Sequence, residues 1–283
     1  LACAGEPVFL RIYEEQGPEG ALAEREMLRG LAARGVRTPA PLVPLASAGS
    51  GLLFVARKPV AIFPWRPGHM RCQAGVSAED ARRVGAELAR VHVAGEGIVV
   101  GEGRFRVEDL RARLQTIAGA SDPELAAQAP VLAAKLETWT ARRARGVGEG
   151  LIHGDLFRDN VLWDEDGTIA ALLDFESASR GRFVFDVMVT LLAWAFGDRL
   201  DASIARALVD GYRSVRELSP VERGALLAEG CVAALRFAIT RITDYAMKGG
   251  IGPRVLKDWR RFAMRLRTLE ELGEEGLARI LGV

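Results

Sequence analysis

Two short apolar runs near the middle of the chain are separated by a polar turn. Residues 161–163 and 169–173 are apolar, and the tetrapeptide Asp-Glu-Asp-Gly at 164–167 lies between them. An Asp-Gly pair between apolar runs is a strong signal for a β-hairpin. Asn160 and Asp174 each lie seven residues from that glycine. A hairpin closed there brings the two side chains to the same end of the ladder.

A third oxygen-bearing side chain is expected beside the open end of this hairpin. Asp155 follows an apolar pair and the dipeptide His153-Gly154, so we predict that it lies on a loop leaving a short buried strand. Carboxylate and amide oxygens suit Mg2+, which keeps several waters and takes other ligands from nucleotide phosphates. Asp155, Asn160 and Asp174 therefore predict phosphoryl transfer. The acids at 164–166 are interpreted as solvated turn residues.

The first 65 residues predict a small sheet with one helix. The pattern favours strands at 7–13, 52–55 and 60–65, a helix at 21–34, and an extended proline-rich linker at 36–51. The rest of the chain is mainly helical, with helices expected at 77–93, 107–117, from 123 onward, 183–196, 201–217, from 220 onward and near 253–272. Pro130 is expected to kink or split its helix. The last helix is rich in arginine and is predicted to lie on the surface.

The motifs in order resemble those of a known superfamily. His153-Gly154-Asp155 with Asn160, followed by the triplet Asp-Phe-Glu at 174–176, resembles the catalytic core of the aminoglycoside phosphotransferase and choline kinase superfamily. The fuller string HGDLFRDNVLW, then DFE, then Phe-Asp-Val at 185–187, is most similar to type II homoserine kinases. The resemblance implies an α/β (α+β), two-lobed protein kinase-like fold. Its N-lobe would span 1–65 and its larger helical C-lobe 66–283.

The resemblance also implies roles for individual residues, with ATP and Mg2+ as cofactors. Asp155 would accept or orient the proton of the acceptor hydroxyl, while Asn160 and Asp174 would hold Mg2+. The predicted nucleotide-binding residues are Arg11 on the first strand, Glu24 as its ion-pair partner, and the lobe hinge at Phe63, Pro64 and Trp65. The family usually has Lys where this chain has Arg11. Asp186 is expected to be a helix cap or a brace for the catalytic loop.

Candidates for acceptor binding come mainly from the long helix after residue 220. Arg236, Thr240 and Asp244 recur every fourth residue and share one helical face. They would offer a carboxylate-binding fork and an ammonium-binding acid, and a solvated polar stripe is the equal alternative. Arg158 and Glu176 are weaker substrate-binding candidates. Arg158 is a candidate for binding the transferred phosphate, or else a surface loop arginine. His92 is interpreted as a packed or surface histidine.

Composition excludes several other classes of protein. Of 283 residues, 49% are hydrophobic and 27% charged, which is ordinary for a globular chain, and the net charge of +1 favours neither nucleic acid nor membrane as a partner. The three cysteines match no disulfide framework or metal motif. This cysteine usage favours a reducing, cytoplasmic setting. There is no apolar run of transmembrane length and no signal peptide. Oligomeric state is not predicted.

The acceptor is expected to be a small molecule. Only eleven residues separate Asp174 from Asp186, too few for a peptide platform. From Glu222 to the end, eleven basic residues outnumber eight acidic ones, which favours L-homoserine over a polycationic aminoglycoside. An antibiotic or other small-alcohol kinase is the alternative. The chain begins with Leu1, without the strands and glycine-rich loop of the family, so a truncated N-lobe and a pseudokinase-like binding protein are also considered.

Overall fold

The computed structural model describes residues 2–3, 5–14, 16–43, 52–248 and 257–283, with the backbone alone for 2–3. Within these residues the N-terminal part forms a four-stranded antiparallel sheet with strand order β1-β2-β4-β3. The strands are β1 (Ala2–Cys3), β2 (Glu6–Ile12), β3 (Leu53–Val55) and β4 (Lys58–Pro64). One helix, α1 (Pro18–Ala33), contacts β4. The predicted linker is described only as far as residue 43, and its remainder lies outside the described residues.

The rest of the described chain is mostly helical. Its helices are α2 (Ala78–Ala94), α3 (Val107–Ala118), α4 (Pro123–Ala126), α5 (Gln128–Ala141), α6 (Phe183–Trp194), α7 (Ala202–Arg213), α8 (Pro220–Arg241) and α9 (Arg260–Leu281). Ser77 and Asp80 form a capping box at the start of α2. The break between α4 and α5 precedes Pro130, as expected of a ring that clashes with the preceding turn. No described helix combines the length and apolar character needed to span a bilayer.

Two short antiparallel pairs carry the catalytic motifs. Strand β5 (Glu149–Ile152) pairs with β8 (Ser179–Arg182), and the predicted hairpin consists of β6 (Val161–Trp163) and β7 (Ile169–Leu172). The segment after β4 joins the hairpin through reciprocal backbone hydrogen bonds between His69 and Trp163. The hairpin therefore makes backbone contacts with the segment that connects the sheet to the helices.

The prediction that the last helix lies on the surface is wrong. Helix α9 starts later and runs nine residues further than expected, and it packs along α8. Phe262, Leu269 and Leu281 are fully buried, and Arg265 is only 5% exposed. The many arginines of this helix obscured its apolar stripe, because the two kinds of residue alternate along it.

Helices α2 and α7 cross at close backbone contact because each contributes a glycine. A Cβ added to Gly85 would overlap the Leu208 carbonyl, and one added to Gly211 would overlap the Arg82 carbonyl. This crossing brings His92 of α2 within hydrogen-bond distance of Tyr212 of α7, with His92 Nδ1 2.8 Å from the hydroxyl oxygen. The glycines thus set the position of a histidine that contacts the catalytic loop region.

Gly211→Ala is expected to lower the free energy of unfolding by about 1–3 kcal/mol, because the added methyl group forces two helix backbones apart. Gly224→Ala is the matched control. Gly224 is exposed in α8 with nothing within 4 Å of an added Cβ, so alanine there should stabilise by about 0.5–1 kcal/mol. Urea denaturation of both variants measures the contrast, and equal effects would contradict the close crossing.

Candidate active site

A cavity of about 790 Å3 separates the N-terminal sheet from the hairpin. The predicted nucleotide and metal residues line it together: Arg11, Glu24, Phe63, Pro64, Trp65, Asn160 and Asp174. Glu176, a candidate for substrate binding, lines it as well. Strands β2 and β4 with α1 supply one wall, and the open end of the hairpin supplies the opposite wall. Residues more than 160 positions apart in the sequence therefore meet around one space large enough for a nucleotide.

Arg11 and Glu24 form an ion pair at the edge of this cavity. Arg11 Nη1 donates to Glu24 Oε1 at 2.8 Å, and the Tyr13 hydroxyl donates to the same oxygen at 3.3 Å. Burial raises the pKa of the Glu24 carboxyl, although the Arg11 guanidinium opposes that shift. Arg11 Nη2 also lies 3.3 Å from Glu176 Oε2. The guanidinium is thereby held between two acids and faces the hairpin.

The metal-binding candidates lie side by side at the open end of the hairpin. The Leu173 amide donates to the Asn160 carbonyl at 2.9 Å, so Asp174 follows directly after the last pair of the ladder. Asp174 has left-handed backbone angles, φ 57° and ψ 63°, an uncommon conformation for a residue other than glycine. This conformation ends the strand and starts the turn at Phe175.

The donor set fits a hard divalent cation that is shared with phosphates. Asn160 Nδ2 donates to the Asp155 carbonyl at 2.8 Å, which leaves the amide oxygen Oδ1 as its available ligand atom. One carboxylate and one amide oxygen suit Mg2+, which takes its remaining ligands from water and phosphate. Among the described residues no cluster of three or more His, Cys, Asp or Glu could hold a metal alone. The site is therefore expected to bind the metal together with a nucleotide.

His153 braces the catalytic loop. Its Nε2 lies 3.0 Å from the Leu173 carbonyl, its Nδ1 accepts from the Asp155 amide at 3.3 Å, and its ring packs on Phe175 at 4.4 Å. The next residue, Gly154, has φ +74°, and a Cβ there would lie 2.9 Å from the Ser177 carbonyl oxygen. The loop therefore needs glycine at this position.

Asp186 is a brace for the loop rather than a helix cap. Its carboxylate accepts from the amides of His153 at 2.7 Å and Gly154 at 2.8 Å, and His92 Nε2 lies 3.0 Å away. Burial disfavours the charged form, yet these hydrogen bonds hold the pKa of Asp186 below its ordinary value. Burial also lowers the pKa of His92, so a neutral ring donates to Asp186 and accepts from the Tyr212 hydroxyl.

Asp155 lies next to Arg236, which was predicted to bind the acceptor carboxylate. Arg236 Nη1 donates to Asp155 Oδ1 at 3.2 Å, and the Arg236 side chain is 5% exposed. The rings of Phe105 and Phe237 contact the guanidinium at 4.2 and 3.8 Å. Arg236 is thus the ion-pair partner of Asp155, and its role in acceptor binding stays a prediction.

The rest of the predicted acceptor face does not form as a row. A π-helical turn, Ile242–Ala246, follows α8 and breaks the four-residue spacing. Thr240 is buried and its hydroxyl donates to the Phe237 carbonyl at 3.4 Å. Asp244 is paired with Arg113 at 2.6 Å. The sequence spacing assumed a regular α-helix, and neither side chain is available as predicted.

Two further candidates have unexpected partners. Arg158 Nη1 donates to the Ala193 carbonyl at the end of α6, so the structure directs it away from the nucleotide cavity. The Trp65 amide donates to the Pro7 carbonyl at 3.1 Å, and Pro64 has no amide hydrogen. Few backbone N–H groups of this segment are therefore available to donate a hydrogen bond to the base of a nucleotide. Trp65 itself is 55% exposed at the cavity wall.

Sequence reasoning missed several apolar cavity residues, including Phe9, Met70 and Leu162. Phe9 and Leu162 belong to predicted strands, but alternation alone does not say which face of a strand meets a ligand. Met70 lies in a segment without periodicity. The ion pair between Asp155 and Arg236 was also missed, because its partners are 81 residues apart.

The chain is similar to known phosphotransferases over most of its length. The family profile described as "Phosphotransferase enzyme family" matches residues 3–219. Homoserine kinase from Caulobacter sp. strain K31 is 34% identical over 84% of this chain and 74% of its own length. Homoserine kinase from Methylocella silvestris is 33% identical over 97% of this chain and 84% of its own length. Among solved structures, amicoumacin kinase hAmiN in complex with AMP-PNP and Ca2+ is 16% identical, with a TM-score of 0.70 over 96% of this chain and 82% of that one.

These similarities confirm the predicted two-lobed, kinase-like α/β fold, with a small antiparallel sheet before a larger helical part. The boundary between the lobes at residue 65 stays a prediction. The roles of the individual site residues also stay predictions, although the structure brings most of the nucleotide and metal candidates together.

Asp174→Ala is expected to abolish turnover by removing a metal ligand, and so to weaken binding of the metal-nucleotide complex. Asp155→Asn is expected to keep that binding and to lower kcat by about 10²- to 10⁴-fold, because Asp155 lies outside the cavity lining beside Arg236. Calorimetric titration with Mg-ADP and steady-state kinetics measure the two effects. A parent-like rate for Asp155→Asn would refute its assignment.

Stability should fall as the pH decreases through the histidine range. The pKa of His92 in the folded protein is lowered below 6.5. The contribution of this residue to the free energy of unfolding is therefore complete above pH 6.5 and is lost as the pH falls toward the folded-state pKa. One proton accounts for at most about 1.4 kcal/mol per pH unit. The lowered pKa of Asp186 affects stability only at more acidic pH.

Urea denaturation between pH 6.5 and 5 tests this expectation. His92→Gln should flatten the pH dependence, whereas His69→Gln, which alters an exposed histidine, should leave it unchanged. If the free energy of unfolding had the same slope against pH in the wild type and in His92→Gln, the buried histidine would not remain neutral.

Proposed function

The chain belongs to the phosphotransferase enzyme family, and on that premise we propose that it transfers the γ-phosphoryl group of ATP to the side-chain hydroxyl of L-homoserine. It is a small-molecule kinase with an alcohol group as acceptor. Homoserine as the acceptor is supported by the relatives named homoserine kinase, because this chain covers most of their length.

The observation that carries the proposal is the pairing of charges across the nucleotide cavity. Asn160 and Asp174 supply oxygen ligands on the hairpin wall, and the Arg11 guanidinium faces them from β2, positioned by Glu24. A polyphosphate with its metal needs both an oxygen donor set and a fixed cation. An arginine serves because its planar guanidinium donates two parallel hydrogen bonds to phosphate oxygens.

The nucleotide would occupy the cavity with its base against the apolar wall. Phe63, Trp65 and Leu162 would contact adenine, and Arg11 would bind the α- and β-phosphates. When bound between Asn160 and Asp174, Mg2+ supplies charge neutralisation for the phosphates. The relative hAmiN was crystallised with AMP-PNP and Ca2+, so use of ATP with a divalent metal fits the family.

Asp155 would orient the acceptor and take its proton. The hydroxyl hydrogen passes to a carboxylate oxygen of Asp155 as the acceptor oxygen bonds to the γ-phosphorus, and the bond from that phosphorus to the bridging oxygen of ADP breaks. Arg236 holds Oδ1 of Asp155 at 3.2 Å, which leaves Oδ2 to face the acceptor. Arg236 is therefore a positioning residue for the reaction.

The charge balance supports a small acceptor that is not polycationic. An aminoglycoside carries several ammonium groups, each of which needs an acid where water is excluded. The side chain beside Asp155 is instead a cation, Arg236. This arrangement favours an amino acid over an antibiotic of that class.

A kinase assay with Mg-ATP and a panel of hydroxyl compounds tests the proposal. ADP release should depend on L-homoserine and be at least about tenfold slower with choline, ethanolamine or kanamycin, since each lacks the carboxylate. Asp155→Asn provides the inactive control. ADP release with kanamycin and none with homoserine would indicate an antibiotic kinase instead. If none of the compounds stimulated ADP release, the proposal would be refuted.

A further inference from the structure

The Thr38 side chain is a buried polar group in the wall of the nucleotide cavity. Thr38 is 7% exposed, and it lines the cavity together with Phe63, Trp65 and Leu162, which are proposed to contact adenine. Phe63 and Leu162 have no hydrogen-bonding side-chain atom, and the indole of Trp65 can only donate. Thr38 therefore brings to this wall a hydroxyl oxygen that can accept a hydrogen bond from a base.

The Thr38 hydroxyl has no hydrogen-bond partner among the residues that the structure describes. The backbone amide of Thr38 donates to the Val36 carbonyl at 2.8 Å, but no described group bonds to the side-chain oxygen. That oxygen is not sealed inside the protein. Because the rest of the residue is buried, its accessible part faces the cavity that it lines. The hydroxyl is thus available to a bound molecule.

The segment after α1 runs beside β4 and holds Thr38 on the base side of the cavity. The Leu42 amide donates to the Ile62 carbonyl of β4 at 2.7 Å. Thr38 and Pro39 precede this hydrogen bond, and both line the cavity together with Phe63 at the end of the same strand. A segment fixed to the strand in this way keeps the hydroxyl at a defined position.

The backbone at the end of β4 offers few donors to a base. Pro64 has no N–H group, and the Trp65 N–H donates to the Pro7 carbonyl at 3.1 Å. Recognition of the base therefore depends more on side chains than it would at a strand end with free N–H groups. Thr38 supplies a hydroxyl, which can both donate and accept.

A purely structural role of Thr38 does not require its hydroxyl. The residue precedes Pro39, where extended backbone is favoured, and a β-branched side chain such as valine suits that backbone equally well. A buried hydroxyl without a partner is less favourable than a methyl group of the same shape. The hydroxyl is therefore explained by a ligand that completes its hydrogen bonds.

We propose that Thr38 determines base specificity, with its hydroxyl oxygen accepting a hydrogen bond from the 6-amino group of adenine. The inference rests on the proposed kinase function, because it takes this cavity as the ATP site. It deepens that function by assigning the choice of base to a side chain that follows α1, in addition to the backbone at the end of β4.

Calorimetric titration with two Mg-bound nucleoside diphosphates tests the assignment in the absence of any acceptor. The two are ADP and purine riboside diphosphate, which lacks the 6-amino group. The wild type should bind ADP about two- to tenfold more tightly, as expected for one neutral hydrogen bond. Thr38→Val should weaken the binding of ADP alone and so remove this preference, whereas Thr38→Ser, which keeps a hydroxyl, should retain it.

Two controls separate loss of the hydroxyl from a change in the fold. Thr116→Val alters an exposed threonine of α3 whose hydroxyl donates within its own helix at 3.3 Å, so both affinities should match those of the wild type. Thr38→Val should keep or raise the thermal midpoint without ligand, because the hydroxyl it removes has no partner there. In steady-state kinetics the same variant should raise KM for ATP by about two- to tenfold and leave kcat within about twofold.

Three outcomes would overturn the role of Thr38. The first is equal binding of the two nucleotides by the wild type. The second is a preference for ADP that persists in Thr38→Val, since another group would then recognise the amino group. The third is parallel weakening of both nucleotides together with a lower thermal midpoint, which indicates a structural residue.

The same measurements distinguish this inference from the proposed function. If the preference for ADP depends on Thr38 but homoserine is not phosphorylated, the base assignment holds and homoserine as the acceptor is refuted. If homoserine is phosphorylated but the preference persists in Thr38→Val, the proposed function holds and the role of Thr38 is refuted. If the wild type binds neither nucleotide, both are refuted.

Discussion

The buried carboxylate of Asp186 is the interaction on which the catalytic loop depends. It is fully buried, and it accepts two loop amides at 2.7 and 2.8 Å while lying 3.0 Å from His92. Removing one partner of a buried charge typically lowers the free energy of unfolding by about 3–5 kcal/mol. Separation of α6, α2 and the loop would remove these partners and is therefore strongly unfavourable. The glycine crossing of α2 and α7 positions His92, and the neutral ring of His92 donates to this carboxylate. Asp155, the next residue after Gly154, takes its position from them.

The backbone of Asp174, a metal-binding candidate, is slightly strained, and the adjoining hairpin holds it in that conformation. Asp174 adopts left-handed angles at a cost of about 1–2 kcal/mol, and it does so directly after the last backbone pair of the ladder. The Leu173 carbonyl is fixed by His153, so the chain has little freedom to relax. The conformation brings Asp174 to the nucleotide cavity beside Asn160. A relaxed strand would continue past that position, and the two oxygen ligands would point to opposite faces.

Local patterns predicted the hairpin and most of the helices because those features depend on neighbours in the sequence, whereas the nucleotide candidates came from the resemblance of the ordered motifs. The same local reasoning predicted one polar face for Arg236, Thr240 and Asp244, since it assumed a regular helix and could not foresee the π-helical turn or the distant partners Asp155 and Arg113. It also placed α9 on the surface, because arginines that are buried against aromatic rings look the same in sequence as solvated ones. Long-range ion pairs and buried cations carry no local periodicity.

The two sides of Asp155 have opposite electrostatic character, and this asymmetry connects fold to chemistry. On the hairpin side, Asn160 and Asp174 offer oxygens to a cation. On the other side, α8 offers the Arg236 guanidinium, which lies between two aromatic rings and donates to Oδ1 of Asp155. In the proposed reaction, an acceptor at Asp155 would present its hydroxyl toward the phosphates while the Arg236 guanidinium lies on its other side. Because the rings of Phe105 and Phe237 pack against that guanidinium, aromatic packing rather than a flexible loop holds it beside Asp155.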